Sequence, residues 1–224
     1  MKKTGNFNIV LNVVIIVAIL SYPKSFTEVN NLTRENNHNI LQICCTWGDR
    51  LNDGILTFHV ENSQKDNVMK NSFEDWNSKL ENVKFKEVQD PSNADVLITF
   101  EHKGEKAVGQ TTSVLDDKGF IKKVKIRLSV NFNEEKIDEE TLNLVLKHEL
   151  GHALGLGHSN FHDLMNPIVN YQNKIITNCE IDAVQLANNW RLVKNLQDPK
   201  LPKLPIEKTV DCGSEEIEHD KLTK

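Results

Sequence analysis

Two histidines and a glutamate form a compact pattern in the second half of the chain. His148 and His152 are four residues apart, and Glu149 directly follows the first of them. On an α-helix, residues four apart point in nearly the same direction and lie about 6 Å apart along the axis. Two imidazoles at that spacing can bind one tetrahedral zinc ion, and a glutamate about 100° around the helix can reach water at the metal without binding the metal itself. The spacing predicts zinc as the cofactor and Glu149 as the general base.

A third histidine follows after a glycine. Gly155 tolerates a positive φ, so the chain can turn sharply there and bring His158 back to the same metal. Three protein ligands leave the fourth position open for water, which distinguishes a catalytic zinc site from a structural one. The five fixed positions of this pattern arise by chance about once in 10⁴ chains of this length. The pattern therefore favours one zinc ion per chain over the alternative of three unrelated histidines.

The elements that position these residues can be identified from their own patterns. Asp138 is a suitable N-cap for a helix that carries the first two histidines and ends near Leu154, before the glycine. The buried face of this helix is formed by apolar residues at helical spacing: Leu142, Val145, Leu146 and Leu150. After a loop, a C-terminal helix begins at Thr177, where Glu180 completes a capping box.

The region before the zinc helix is patterned as strands around one helix. Alternating or continuous apolar residues indicate strands at 56–60, 83–88, 94–100 and 120–130. Apolar residues at near-helical spacing indicate one helix, at 68–80. This order of elements predicts an α+β domain with one twisted, mixed β-sheet, a backing helix, the zinc-binding helix and a C-terminal helix.

The two ends of the chain differ in composition from its middle. Two lysines precede an apolar run at 9–20, which suits a signal peptide or a short signal anchor over residues 1–22. A polar, Asn-rich stretch predicts a linker over 23–46, and prolines alternating with charges predict an extended or disordered tail over 197–224. We therefore expect a secreted protein, or alternatively a membrane-anchored protein with its catalytic domain outside the cell.

Export would place the four cysteines in an oxidising environment. Cys44 and Cys45 are adjacent, Cys179 and Cys212 lie much later in the chain, and their spacing matches no C-x-x-C zinc or redox motif. Because adjacent residues are difficult to bridge, we expect at least one disulfide that joins a member of the first group to a member of the second. Free buried thiols are the alternative.

The charge balance argues against a nucleic-acid partner. The chain has 27 basic and 32 acidic residues, a formal net charge of −5, and no basic stripe. The short basic run at 122–127 alternates like a strand, so a solvated strand face explains it. A length of 224 residues is enough for one domain with additional ends.

The pattern H-E-x-x-H-x-x-G-x-x-H, which begins at His148 and ends at His158, resembles the motif of metzincin metalloproteases. A serine directly after the motif, here Ser159, resembles the sequence of the matrixin branch, the relatives of the matrix metalloproteinases. Met165, seven residues after the third histidine, resembles the methionine that metzincins place in a tight turn beneath the metal. The likeness extends over residues 47–196, which are therefore taken as the catalytic domain.

The resemblance implies a zinc-dependent endopeptidase that acts on protein or peptide substrates. The substrate would lie extended along a strand edge at 107–112, and the loop after the methionine would wall the pocket for the residue that follows the cut. Three residues of that loop are pocket candidates: Pro167, Ile168 and Tyr171. Asp116 and Asp117 are candidates for a calcium site. The alternative is a catalytically weak or inactive zinc-binding protein of the same fold, acting at the cell surface.

Overall fold

The computed structural model describes residues 38–61, 66–102, 107–168, 171–192 and 208–213. Within these ranges the chain forms ten strands and three α-helices. In chain order they are β1 (Ile40–Ile43), β2 (Ile55–Glu61), α1 (Asp66–Lys79), β3 (Lys84–Glu87), β4 (Val96–Glu101), β5 (Gly109–Leu115), β6 (Ile121–Ser129), β7 (Asn131–Phe132), β8 (Glu135–Lys136), α2 (Glu139–Ala153), β9 (Leu156–Ser159), α3 (Asn178–Leu192) and β10 (Lys208–Asp211).

A five-stranded sheet forms the centre of the fold. Its strand order is β3-β2-β4-β6-β5, and all neighbours are parallel except β5, which pairs antiparallel with β6. Along β6, Val124 and Ile126 are fully buried whereas Lys125 and Arg127 are exposed, so one face of the sheet meets the core and the other meets water. Strand β5 lies at the edge. The predicted α+β class with a mixed sheet is confirmed.

Helix α1 packs against both the sheet and α2. The ring of Phe73 stacks on that of Phe58 at a centroid distance of 3.7 Å and meets the ring of Phe85 edge-on at 5.2 Å. Trp76 is fully buried, and its indole nitrogen donates a hydrogen bond to the carbonyl oxygen of Lys147 in α2 at 2.9 Å. Aromatic packing therefore holds α1 against the sheet, and the hydrogen bond of Trp76 holds α2 against α1.

Helix α2 begins and ends close to its predicted limits. The Asp138 carboxylate accepts a hydrogen bond from the Thr141 backbone N–H at 2.8 Å, as an N-cap does. Beyond the last turn, Gly155 has a φ of +99°, and a Cβ added there would lie 2.4 Å from the Cys45 carbonyl oxygen. Both the backbone conformation and the lack of space therefore require glycine at this turn.

A second, three-stranded sheet has the order β10-β1-β9, and both of its strand pairs are antiparallel. Leu41 of β1 is fully buried and lies opposite Ser159 on one side and Val210 on the other. The predicted linker over 23–46 is therefore wrong where β1 lies. Within the predicted extended or disordered tail over 197–224, the residues of β10 are extended and paired in a sheet. Each strand has only four residues, which is too short for an apolar pattern to mark it within a polar segment.

The cysteines form two disulfides, Cys44–Cys45 and Cys179–Cys212. The predicted pairing between the two groups is therefore wrong, and so is the expectation that adjacent residues would not bridge. Pairing of β10 with β1 brings Cys212 to α3, where its Cα lies 5.5 Å from that of Cys179, within the usual range for a disulfide. The backbone N–H groups of Cys44 and Cys45 both donate to the Gly155 carbonyl oxygen, at 3.0 and 3.3 Å.

The predicted signal segment over residues 1–22 lies outside the described residues. Among the helices of the described ranges, none is both long enough and apolar enough to cross a membrane. The predicted catalytic domain, 47–196, reaches slightly past the last described residue of α3, Leu192. The described residues thus cover most of that domain and the two short strands that flank it, β1 and β10.

Candidate metal centre

Three histidine side chains converge between α2 and β9. The ligand atoms of His148, His152 and His158 all lie within 4.8 Å of one another, and the Nε2 atoms of the two helical histidines are 3.0 Å apart. The two helical side chains are buried and that of His158 is half-buried. In the described part of the chain, no other group of three His, Cys, Asp or Glu side chains comes together in this way. The predicted ligands thus meet at one point.

Backbone carbonyls fix the tautomer of the two helical histidines. Nδ1 of His148 lies 2.6 Å from the Leu164 carbonyl oxygen, and Nδ1 of His152 lies 2.9 Å from that of Leu156. Because a carbonyl oxygen only accepts, each Nδ1 must carry the proton and donate it. Each Nε2 is then left with a lone pair, the arrangement found in histidines that bind metal.

His158 reaches the cluster from β9, and its Nε2 is buried without a hydrogen-bond partner. The strand is held by its pairing with β1 and by a hydrogen bond from the Ser159 backbone N–H to the Met165 carbonyl oxygen, at 3.0 Å. A buried polar atom without a partner is costly unless it binds something outside the protein. Three imidazoles with available Nε2 atoms are a donor set that zinc prefers, so the residues present fit the predicted ion.

Burial keeps all three imidazoles neutral at physiological pH. It lowers the pKa of His148 to about 3 and that of His158 to about 4, and it holds the pKa of His152 well below its ordinary value. Neighbouring imidazoles lower the pKa of His148 and His152 further, because positive charges so close would repel one another. Neutral imidazole is the form that binds a metal, so the site is prepared for a cation.

The Glu149 carboxylate lies between α2 and the edge strand β5. It is fully buried, and burial raises its pKa to about 8, although a hydrogen bond from the Thr111 hydroxyl to Oε2 opposes the rise. The other oxygen, Oε1, has no hydrogen-bond partner. A Cβ added at Gly109 would lie 2.4 Å from Oε1 and 2.5 Å from Cγ1 of Val145, so only glycine lets the strand approach α2 this closely.

Sequence reasoning does not single out Gly109 and Thr111 within the predicted substrate edge at 107–112. Alternation along a strand shows that the two residues share a face, but not which face meets the helix. One signal is available, because a glycine inside a strand often marks the close approach of another group. The structure shows that the approaching groups are the side chains of Glu149 and Val145.

Met165 is fully buried against α2, where a Cβ added at Gly151 would come within 2.4 Å of its sulfur. The preceding residue, Leu164, donates its backbone N–H to the Glu180 carboxylate at 3.0 Å. The same carboxylate accepts the backbone N–H of Thr177 at 2.6 Å, which is the predicted capping box of α3. Glu180 therefore joins the turn at the methionine to α3, a role that the sequence pattern alone does not reveal.

Two buried carboxyl groups brace this turn. Asp163 accepts a hydrogen bond from the Ser159 hydroxyl through Oδ1, and its Oδ2 has no hydrogen-bond partner. Burial raises the pKa of Asp163 to about 6 and that of Glu180 to about 7, and the nearby Asp163 adds to the rise at Glu180. Both side chains support the turn that carries Leu164, whose carbonyl orients His148.

The three pocket candidates lie in the loop after the methionine, with partly exposed side chains. Ile168 is 38% exposed and Tyr171 is 50% exposed, whereas Pro167 is half-buried. The Tyr171 hydroxyl lies 2.6 Å from Oγ1 of Thr141 and also donates to the Asp138 carboxylate. The loop is thereby tied to the first turn of α2, and it keeps apolar side chains in contact with water.

The calcium candidates lie in the turn between β5 and β6. Asp116 accepts hydrogen bonds from the backbone N–H groups of Lys118 and Phe120 at 2.8 and 2.9 Å, so its carboxylate closes the turn. Asp117 is exposed. No third acidic side chain of the described residues joins these two within ligand distance, and a calcium site stays a prediction.

Comparison with known proteins identifies the family of the chain. The matrixin family model matches residues 54–188. Two solved structures of myroilysin are similar, one at 12% identity and a TM-score of 0.43, covering 65% of this chain and 97% of that one, and the other at 11% and 0.42, covering 78% and 91%. High choriolytic enzyme 1, a hatching enzyme zinc-protease from the medaka fish Oryzias latipes, has 19% identity and a TM-score of 0.31, covering 51% and 50%. No curated protein sequence shows a significant match.

The family match spans the part of the chain that builds the metal centre. Residues 54–188 are more than half of the 224 residues, and they include the main sheet, α1, α2, β9 and the turn at Met165. The family match agrees with the geometry of the three histidines and Glu149, which is that of a zinc site. The chain belongs to the matrixin family of zinc metalloendopeptidases.

Proposed function

We propose that this matrixin cleaves protein or peptide chains with Glu149 as the general base. The observation that carries the proposal is Oε1 of Glu149, which is buried, has no hydrogen-bond partner and belongs to the residue next to the metal ligand His148. A carboxylate oxygen in that place can accept a proton from water. A zinc site that served only the fold would need no carboxylate there.

Each residue of the metal centre has a role in this proposal. His148, His152 and His158 hold the zinc ion, which when bound supplies a Lewis acid that lowers the pKa of water and polarises a peptide carbonyl. Oε1 of Glu149 takes a proton from the attacking water and later gives it to the leaving amine. The carboxylate lies between α2 and β5, which shields it from bulk solvent. In this mechanism no covalent bond forms between protein and substrate.

The free edge of β5 is the proposed binding place of the substrate. Among the described strands, β5 pairs only with β6, so its other side offers backbone N–H and C=O groups to an extended peptide. Thr111 and Gly109 of the same strand lie against Glu149, so a peptide along this edge would pass beside the carboxylate. The backbone of the substrate would then account for much of its recognition.

Replacing the general base tests the proposal. Glu149→Ala should keep one zinc ion per chain but lower kcat by about 10²- to 10⁴-fold, the usual contribution of a general base. The measurement is cleavage of a peptide library together with the metal content of the same protein. Glu139→Ala, an exposed glutamate in the first turn of α2, is the matched control and should cleave normally.

Three results would contradict this proposal. Near-normal turnover by the Glu149→Ala variant would mean that another group accepts the proton. Cleavage that persists after zinc has been removed with a chelator would mean that the metal centre is not the site of the reaction. A zinc-loaded wild-type protein that cuts no peptide in the library would support the alternative of a catalytically weak protein.

The loop after Met165 is proposed to bind an apolar residue directly after the cleaved bond. Ile168, Tyr171 and Ile175 are exposed on this loop, and exposed apolar clusters of this kind mark binding surfaces. Leu, Met or Phe at that substrate position would gain about 1.5 to 3 kcal/mol from burial. Cleavage-site mapping on the same library should therefore show a preference for these residues over Asp.

A preference for acidic residues after the cleaved bond would assign the specificity pocket to a different place. A cavity of about 260 Å³ adjoins the end of this loop, and its lining carries three lysines: it consists of Asp75, Lys79, Lys147, Lys174, Ile175 and Ile176. If acidic residues were preferred after the cut, this lysine-lined cavity and not the apolar loop surface would be the specificity pocket. Equal rates for Leu and Asp would exclude both assignments.

We also infer that the enzyme acts outside the cell. The two N-terminal lysines and the apolar run at 9–20 have the order of a secretion signal, and the two disulfides suit an oxidising compartment. N-terminal sequencing of protein recovered from the culture medium distinguishes a cleaved signal from an anchor. Protein found only inside the cell, with four free thiols, would contradict the inference.

A further inference from the structure

The Thr111 side chain forms a hydrogen bond with the proposed general base, Glu149. It is 2% exposed, and its hydroxyl donates a hydrogen bond to Oε2 of Glu149 across the gap between β5 and α2. The backbone carbonyl oxygen of Glu149 is farther from this hydroxyl, at 3.4 Å. A threonine hydroxyl has only one proton to donate, so the carboxylate is its principal partner.

The two oxygens of Glu149 therefore have different surroundings. Oε2 is held by Thr111, whereas Oε1 lies against the backbone of Gly109 and accepts no hydrogen bond. The last torsion of a glutamate side chain is broad and roughly two-fold, so a carboxylate without such a contact would turn freely. Contact with β5 on both oxygens restricts that rotation.

We propose that Thr111 is a positioning residue of this protease, whose hydroxyl holds Oε2 of Glu149 so that Oε1 remains the oxygen that exchanges protons with water and the leaving amine. The inference rests on the proposed role of Glu149 as the general base. It assigns to the Thr111 hydroxyl a function that the methyl group of the same side chain cannot serve, because a methyl group donates no hydrogen bond to the carboxylate. A misplaced catalytic group costs rate even where the chemistry is unchanged, because proton transfer requires a defined approach.

Three substitutions separate the hydroxyl from the shape of the side chain. Thr111→Val keeps the shape and removes the hydroxyl, and it should lower kcat about 10-fold with KM and zinc content unchanged. Thr111→Ser keeps the hydroxyl and should restore most of the lost turnover. Thr99→Val is the matched control, since Thr99 lies on β4, two strands away from β5, and should behave as wild type.

A measurement without zinc or substrate gives an independent readout. The side-chain carboxyl carbon of Glu149 can be followed by ¹³C NMR in the metal-free protein, its signal identified by its loss in the Glu149→Gln variant. This signal should move in the Thr111→Val variant and should stay in place in the Thr111→Ser and Thr99→Val variants. A movement confined to the first variant would show that the hydroxyl acts on the carboxylate directly.

The outcomes separate this inference from the proposed function. If Glu149→Ala abolishes turnover but Thr111→Val leaves kcat unchanged, only the role of Thr111 is overturned. If Thr111→Ser is as impaired as Thr111→Val, the methyl group and not the hydroxyl matters, and the inference fails. Should Thr111→Val not fold, Thr111→Ser compared with Thr111→Ala makes the same test, because these two differ only in the hydroxyl.

Discussion

The histidines of the metal centre are held in two different ways. His148 and His152 are four residues apart on α2, so one capped helix places both of them. His158 lies on β9, a four-residue strand whose neighbour β1 and next neighbour β10 come from opposite ends of the described chain. Two ligands therefore depend on local structure, and the third depends on contacts between segments that are far apart in the sequence.

This contrast also separates the family domain from what surrounds it. Strands β1 and β10 lie outside residues 54–188, the part that matches the matrixin family, and the Cys179–Cys212 disulfide fixes the second of them to α3. A contact between distant segments must overcome the entropy of closing the chain between them, whereas successive helical turns need no such closure. We therefore expect a disturbance of the three-stranded sheet to loosen His158 before it affects the helical pair.

The two regions meet at Gly155, and replacing this glycine should have the largest effect. It has a φ of +99°, and a Cβ added there would lie 2.4 Å from the Cys45 carbonyl oxygen. Gly155→Ala should lower the free energy of unfolding by about 2 to 5 kcal/mol, because the left-handed backbone and the clash both add to the cost. Chemical denaturation of the metal-free protein measures this loss.

Gly213→Ala is the matched control for that substitution. Gly213 also has a positive φ, +78°, but a Cβ added there meets nothing within 4 Å. It should lose only the backbone contribution, about 1 to 2 kcal/mol. Equal losses in the two variants would mean that the contact between Gly155 and Cys45 does not join the two regions.

The same contrast explains how much the sequence could predict. The helical region could be predicted because its sequence patterns are local. The Asp138 cap, the spacing of His148 and His152, and the glycine after the helix all lie within one segment. Family resemblance added Met165 and the strand edge. These features need no knowledge of which distant segments meet.

The features that sequence reasoning missed all depend on contacts between segments that are distant in the sequence. Strands β1 and β10 have four residues each, and their pairing partners lie more than a hundred residues away. Cysteine pairing cannot be deduced from spacing, and only the placement of β10 brings Cys212 to Cys179. Thr111 was missed for a similar reason, since the face of β5 that meets α2 is set by packing and not by the local pattern.

Removing the Cys179–Cys212 disulfide tests the second region by itself. The bridge closes a loop of 33 residues, so the double variant Cys179→Ser, Cys212→Ser should lose about 2 to 4 kcal/mol of unfolding free energy. Zinc should also pass to a competing chelator several-fold faster, because β10 supports β1 and β1 supports the strand of His158. Turnover at saturating zinc should change little, since α2 and Glu149 are not touched.

The other disulfide provides the control, because its two residues are adjacent. Cys44→Ser with Cys45→Ser opens a loop of sequence separation 1, so the loss of chain entropy should contribute only about 1 kcal/mol. If the bridges instead joined the first pair of cysteines to the second, each double variant would remove the same two bridges and the two losses would be equal. Unequal losses of unfolding free energy, with the larger from Cys179 and Cys212, would therefore support the pairing, and faster zinc release in that variant alone would support the dependence of His158 on β1 and β10.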